Sequence, residues 1–173
     1  LEGELIETYD LPNTYVPGLA FDGQYIWASN MTTGMVYQYD VGIEIIHPEN
    51  STYVPDNNFE QALIDLGYDD VLDNYVLTET ISTITSLDVS DRSISSLEGI
   101  EDFTALTSLY CYFNNLTSLD LSSNTLLTMV HSTYNQLASI NVSENTLLTN
   151  LYLDNNQLSS IDVSQNTLLV ELF

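Results

Sequence analysis

Positive charge is almost absent from this sequence. Its 173 residues include a single cation, Arg92, against 25 aspartates and glutamates, which gives a formal charge of −24 at pH 7. Proteins bind DNA and RNA largely by neutralising phosphates with lysine and arginine, and so acidic a surface repels polyanions and anionic bilayers. The composition therefore excludes nucleic acid as a partner.

Cysteine and long apolar runs are also scarce. Cys111 is the only cysteine, which excludes an intrachain disulfide, and no Cys/His spacing typical of a zinc site occurs. No apolar run approaches the roughly 20 residues that a membrane-spanning helix needs. We therefore expect no membrane insertion and no cofactor. No basic-then-apolar leader precedes the acidic start, and we expect the chain to be a fragment of a larger protein.

Apolar residues, in contrast, are abundant enough to build a core. The composition is 44% hydrophobic and includes 12 tyrosines, which is far too apolar for a solvated acidic tail. The excess of carboxylates is typical of proteins that work at high salt, where screening shortens the range of self-repulsion. Cation-rich extracellular surroundings are the alternative explanation, and we favour a salty exterior.

The sequence repeats itself at an offset of 21 residues. Similar segments begin at Leu116, Leu137 and Leu158 without insertions. Aliphatic residues recur at fixed positions, so that Leu119, Ile140 and Ile161 share one column and Leu121, Val142 and Val163 share another. A coil of about twenty residues cannot bury its own apolar side chains, whereas stacked coils bury one another's. The repeat therefore predicts a solenoid.

The same segments resemble a known repeat family. The stretches LTSLYCYFNNL (106–116), LTMVHSTYNQL (127–137) and LTNLYLDNNQL (148–158) resemble the leucine-rich-repeat signature LxxLxLxxNxL, in the short 21-residue class found in bacteria. The second copy departs from it at Val130 and Ser132. The resemblance covers residues 84–173 and implies a mainly β fold, a leucine-rich-repeat solenoid with parallel strands.

Asparagine recurs at two positions of each repeat. We expect its amide to satisfy backbone groups where the coil turns inward, and to stack in register as ladders. The predicted ladders are Asn114, Asn135 and Asn156, and Asn124, Asn145 and Asn166.

A helical cap is predicted before the solenoid, over residues 56–83. Asp56 or Asn57 is a candidate N-cap, Glu60 suits the first turn, and apolar residues at helical spacing end at Gly67. This helix would cover the apolar end of the first coil. The segment resembles the N-terminal cap that precedes such repeats in secreted bacterial surface proteins.

Residues 1–42 follow a different pattern. Strand-like runs at ELIETY, GLAF, YIWAS and MVYQYD are separated by turn signals such as Asp22-Gly23. Four antiparallel strands in about forty residues resemble one blade of a β-propeller, and we expect this small sheet to be incomplete. Residues 43–55, which include two prolines, are interpreted as a linker.

An exposed aromatic stripe is the best candidate for a functional site. Side chains alternate across a strand. The positions between the leucines of each repeat signature therefore face the concave side of the predicted sheet. We expect binding there by Tyr110, Tyr112, Met129, His131, Tyr152, Asp154 and Phe173. Exposed aromatic patches on rigid scaffolds typically mark binding sites. The alternative is that these rings only pack against one another as cross-strand pairs.

No catalytic site is predicted. His131 has no nucleophile at a recognisable spacing, and His47 lies in the predicted linker. Four aspartates after the cap helix, Asp65, Asp69, Asp70 and Asp73, are weak candidates for calcium, but their spacing does not match an EF-hand. A solvated acidic loop is the simpler interpretation.

Three functional hypotheses remain. The first is a non-catalytic binding or adhesion module of a secreted or cell-surface protein, which contacts a protein or glycan through its concave face. The second is a structural spacer or assembly element of an extracellular filament, whose partners are further copies or domains of the same assembly. The third is a targeting region of a larger extracellular enzyme.

Overall fold

The computed structural model describes residues 50–173 throughout, together with the backbone of three strands in residues 1–49. The chain divides into two compact units, Leu1–Ile46 and His47–Phe173. Each unit is considered by itself below.

The first unit contains an antiparallel sheet. Its described strands are β1 (Gly18–Phe21), β2 (Tyr25–Ser29) and β3 (Val36–Asp40), in the order β1-β2-β3. Both pairings are antiparallel, as the turn signals predicted. The fourth predicted strand, ELIETY, and the Asp22-Gly23 turn lie outside the described residues. The interpretation of this sheet as a propeller blade stays a prediction.

The first described element of the second unit is a strand, within the segment interpreted as a linker. Strand β4 (Ser51–Tyr53) pairs antiparallel with β5 (Tyr75–Leu77), although residues 51–53 belong to the segment interpreted as a linker. The reason is burial, since Thr52 and Val54 lie in the interior of the unit. The earlier part of that segment, up to residue 49, lies outside the described residues.

The cap helix α1 (Asn57–Asp65) forms where it was predicted, with Asp56 as its N-cap. One carboxylate oxygen of Asp56 accepts hydrogen bonds from the backbone N–H groups of Asn58 and Phe59. The other oxygen accepts from the N–H groups of Ser95 and Ser96 in the first coil, at 2.8 and 2.9 Å. Asp56 therefore starts the helix and also attaches it to the solenoid.

The apolar side of α1 closes the end of the solenoid. Phe59, Ala62 and Leu63 are buried, and the ring of Phe59 stacks on that of Phe103 with centroids 6.2 Å apart. A second, unpredicted helix, α2 (Thr78–Ile81), contributes the buried Ile81. These contacts join the cap and the coils in one hydrophobic core.

Glycine is required where the first coil approaches strand β4. Gly99 has φ +99° and precedes a 3-10 turn, Ile100–Asp102. A Cβ atom at Gly99 would lie 2.8 Å from the carbonyl oxygen of Tyr53 and 3.0 Å from a methyl group of Val54. Any larger residue would push the coil away from the cap.

From residue 84 onward the chain forms a series of short strands joined by turns. They are β6 (Ser86–Asp88), β7 (Ser108–Tyr110), β8 (Ser118–Asp120), β9 (Met129–His131), β10 (Ser139–Asn141), β11 (Asn150–Tyr152) and β12 (Glu171–Leu172). Five of these strands form a parallel sheet in the order β12-β11-β9-β7-β6. Strands β8 and β10 form a second, two-stranded parallel sheet. The predicted mainly β solenoid with parallel strands is confirmed.

The repeat period places equivalent side chains beside one another. Leu109 pairs with Val130, which pairs with Leu151, and all three are fully buried. Ile140 pairs with Leu119 in the second, two-stranded sheet. The aliphatic columns therefore line a continuous core between the two sheets, and rings at the intervening positions lie on its outside.

Two series of asparagines, all buried except the half-buried Asn156, bind each coil to the one before it. We call Asn114, Asn135 and Asn156 the strand ladder, and Asn124, Asn145 and Asn166 the half-repeat ladder. In the strand ladder, the Asn135 side chain donates to the Cys111 carbonyl at 2.9 Å and accepts from the Leu116 N–H at 3.0 Å. In the half-repeat ladder, Asn145 Nδ2 donates to the carbonyls of Leu121 and Asn124, at 2.9 and 2.8 Å. The strand ladder thus pairs core groups such as the Leu116 N–H, and the half-repeat ladder gives a second donor to carbonyls that also accept backbone N–H groups.

Among the described residues, no helix is both long and apolar enough to cross a bilayer.

Candidate binding surface

The five-stranded sheet presents a row of aromatic rings on its outer side. In each three-residue strand the central side chain enters the core, so its two neighbours point away from the core. Tyr110, His131 and Tyr152 occupy equivalent positions, because His131 pairs in register with both tyrosines. The parallel register therefore converts a period of 21 residues into a column of rings.

The rings of this column contact one another. The His131 ring centroid lies 4.7 Å from that of Tyr112, 5.2 Å from that of Tyr152 and 6.4 Å from that of Tyr110. Tyr152 stacks on Phe173 at 5.7 Å, with the ring planes only 9° apart. We call Tyr110, Tyr112, His131, Tyr152 and Phe173 the aromatic stripe. Four of its rings are half-buried and Phe173 is exposed, so the stripe is accessible to a ligand.

Polar groups lie along the same face. The Tyr152 hydroxyl donates to the Glu171 carboxylate, which also accepts from Asn150 Nδ2 at 2.8 Å. This hydrogen bond raises the pKa of Tyr152 and lowers that of Glu171. Tyr152 is therefore held in one orientation by the carboxylate, and Glu171 remains available as a negative charge beside the ring.

The two remaining predicted contact residues lie at the sides of the stripe. Met129 is half-buried in β9 and pairs in register with Ser108 and Asn150. Asp154 is exposed just after β11, and its carboxylate accepts a hydrogen bond from Asn155 Nδ2 at 2.8 Å. Asp154 thus adds a second negative charge to this part of the surface.

A second aromatic pair, which the sequence analysis did not single out, lies next to the stripe. Phe113 and Tyr134 stack with ring centroids 4.5 Å apart and planes inclined by 21°. The rings of Tyr112 and Phe113 make an edge-to-face contact with centroids 5.7 Å apart, so the pair is continuous with the aromatic stripe. The 21-residue spacing of Phe113 and Tyr134 was a signal in the sequence that could have revealed this pair.

Neither the Cys111 thiol nor the His131 imidazole is arranged as a catalytic nucleophile or base. Cys111 is fully buried, and burial raises the pKa of its thiol to about 12, which leaves it uncharged at physiological pH. The His131 Nε2 atom lies 3.1 Å from the Thr133 hydroxyl, and its ring contacts three tyrosines. His47 lies outside the described residues.

Three of the four calcium candidates, Asp65, Asp69 and Asp73, each accept from a different protein group. Asp65 pairs with Arg92, and the guanidinium lowers its pKa. Asp69 accepts from the Asp70 N–H, and Asp73 accepts from the Tyr75 N–H. In residues 50–173, no three histidine, cysteine or carboxylate side chains lie close enough to share a metal ion.

Glu60 lies in the first turn of α1 as predicted and also contacts the loop that follows the helix. Its carboxylate is fully buried and accepts hydrogen bonds from the N–H groups of Asp73 and Asn74. Burial raises its pKa, and the nearby charges of Asp69 and Asp73 raise it further. Glu60 therefore fixes the loop after α1, although its charge is unfavourable in that position.

We expect Glu60→Gln to raise the melting temperature at pH 7. The glutamine oxygen keeps the two backbone hydrogen bonds and removes the buried charge. Because the pKa of Glu60 is higher in the folded state, its charge weakens folding above that pKa and has no effect below the ordinary value of 4.5. The advantage of the variant should thus shrink as the pH falls in a calorimetric series. The exposed Glu79→Gln is the control for net charge, and a less stable Glu60→Gln protein at pH 7 would contradict the interpretation.

Comparison with known proteins identifies the type of solenoid. Over 73 residues, 42% of the chain, it is 42% identical to internalin J of Listeria monocytogenes serotype 4b (strain F2365). A solved functional domain of InlJ superposes on 70% of the chain with a TM-score of 0.64 and 39% identity. The solenoid is internalin-like. A solved internalin, InlF from the same strain, covers 66% of the chain with a TM-score of 0.56 and 27% identity. No family model matches the chain.

The chain spans only a small part of the length of these relatives. It covers 8% of internalin J, 28% of the solved InlJ domain and 34% of the solved InlF chain. The InlJ domain includes a cysteine ladder, which this chain does not share, since Cys111 is its only cysteine. The similarity therefore applies to the leucine-rich-repeat scaffold.

Proposed function

We propose that the chain is a non-catalytic binding module of a secreted or cell-surface bacterial protein, and that the aromatic stripe contacts a protein ligand or a glycan. The observation that carries the proposal is the continuous contact among Tyr110, His131, Tyr152 and Phe173 on the outer side of a parallel sheet. Aromatic side chains supply large contact areas at interfaces and often carry much of the binding energy.

The rigidity of the scaffold supports this proposal. Every strand under the stripe is paired with its neighbours, and the ladders hold successive coils in register. Rings fixed in this way lose little conformational entropy when a ligand binds. A binding role also agrees with the similarity to internalin J and to the InlJ domain.

The test compares Tyr110→Ala and Tyr152→Ala with the unchanged chain, on immobilised extracellular matrix proteins and on a glycan array. Loss of a ring that carries binding energy should cost about 1 kcal/mol or more, which is roughly a fivefold weaker Kd. Tyr53→Ala is a matched control, because Tyr53 is an exposed tyrosine of strand β4, outside the stripe. Unchanged binding by both stripe variants would exclude the stripe as the contact surface.

A further inference from the structure

Phe113 and Tyr134 combine three properties that are rarely found together. Both side chains are about half exposed, at 51% and 48%, although they are large and aromatic. Both have a left-handed backbone, with φ of 53° and 54°, a region that bulky residues adopt only at an energetic cost. Their rings nevertheless stack on each other in solvent.

The neighbouring coils show that this backbone position does not require an aromatic residue. The equivalent positions are occupied by Asp91, with φ 56°, and Asn155, with φ 59°. Aspartate and asparagine tolerate the left-handed region much better than phenylalanine or tyrosine does. Burial cannot explain the two exposed rings, and strained residues of this kind are often found at ligand sites.

Negative charge lies on both sides of the pair. The Asp91 N–H donates to the Tyr112 carbonyl at 3.0 Å, which places Asp91 in the adjacent coil on one side. The Tyr134 N–H donates to the Asp154 carbonyl at 3.1 Å, which places Asp154 on the other side. Both aspartates are exposed. The chain's one cationic side chain, Arg92, pairs with Asp65, so the charge at this surface is open to a positive partner.

We propose that Phe113 and Tyr134 form the docking platform for an arginine side chain in a basic segment of the protein partner. The planar guanidinium lies against the exposed ring surfaces, as cations do on aromatic rings, and pairs with the carboxylate of Asp91 or Asp154. This inference rests on the proposed binding function and specifies the chemistry of the partner. Charge complementarity favours it, since a chain with a formal charge of −24 attracts basic segments.

The test uses the whole chain and three fluorescent peptides of equal length, in which the same glycine–serine sequence carries spaced arginines, lysines or citrullines. Citrulline keeps the shape of arginine and removes its charge. We expect the Kd to rise in the order arginine, lysine, citrulline in anisotropy titrations at two salt concentrations, because lysine lacks the planar group that stacks on rings.

A double variant, Phe113→Asn with Tyr134→Asn, isolates the rings from the charge. It leaves the net charge unchanged, and asparagine suits the left-handed backbone, as Asn155 does in the third coil. We expect the double variant to remain folded and to bind the arginine peptide about fivefold or more weakly. Tyr53→Asn, which removes an exposed tyrosine of strand β4, is the control and should bind normally.

Two results would overturn the proposal. In the first, the double variant binds the arginine peptide as tightly as the unchanged chain does. In the second, the arginine and lysine peptides bind equally well. Either result would mean that the peptides bind only through general attraction to an acidic protein. This failure can be distinguished from failure of the proposed function. If Tyr110→Ala and Tyr152→Ala still lose binding to matrix proteins or glycans, the stripe remains a binding surface and the arginine platform alone is wrong.

Discussion

Asn145→Ala should lower the free energy of unfolding by about 1–3 kcal/mol. Its Nδ2 group donates to the carbonyls of Leu121 and Asn124, and the side chain is fully buried. The alanine variant removes two buried hydrogen bonds, each worth about 0.5–1.5 kcal/mol, although the two carbonyls still accept the backbone N–H groups of Asn124 and Leu127. Urea unfolding followed by circular dichroism measures the loss.

Two control variants identify the cause of that loss. Asn141→Ala removes an exposed asparagine that donates to Asp120, and we expect it to cost less than about 1 kcal/mol. Asn145→Asp keeps the shape of the side chain but directs oxygens at the two carbonyls. It should therefore destabilise at neutral pH at least as strongly as alanine does. Equal stability of Asn145→Ala and Asn141→Ala would show that the half-repeat ladder contributes little.

Phe103→Ala should lower the free energy of unfolding by about 3–5 kcal/mol, as is typical when a buried aromatic residue is truncated. Phe103 is fully buried, and its ring stacks on Phe59 of α1. The cavity would therefore open at the junction of the cap helix and the first coils. The measurement is again urea unfolding, with fluorescence and circular dichroism as separate probes.

Phe113→Ala is the matched control for that variant, because it truncates an exposed phenylalanine of the same coil. Its effect should stay below about 1 kcal/mol, since little apolar surface is lost from the core. If Phe103→Ala has an equally small effect, the cap does not depend on the Phe59–Phe103 contact, and the core at this end is able to collapse around the gap.

The parts of the fold that depend on periodicity could be predicted from the sequence. Columns such as Leu119 and Ile140 recur at a fixed offset, and this offset determines both the burial and the parallel register. The N-cap at Asp56 was recognisable because its preference is local. Its second pair of hydrogen bonds, to Ser95 and Ser96, joins residues about forty positions apart, and no local pattern encodes such a contact.

The candidate surface was predictable to a similar degree. The positions of Tyr110, His131 and Tyr152 follow from the alternation of side chains along each strand. The left-handed backbone at Phe113 and Tyr134 was not predictable, because the residue types there disfavour it. Glu60 lies in the first turn of α1 as predicted, but helix position alone does not reveal that the following loop folds over its carboxylate.

The asparagine ladders have a direction. Asn145 reaches back to residues 121 and 124, and Asn166 reaches back in the same way to Val142 and Asn145. Each amide thus finds its acceptors in chain that was synthesised earlier. A nascent polypeptide leaving the ribosome can dock every new coil on one already formed, so this architecture suits vectorial growth from the N-terminal cap during translation.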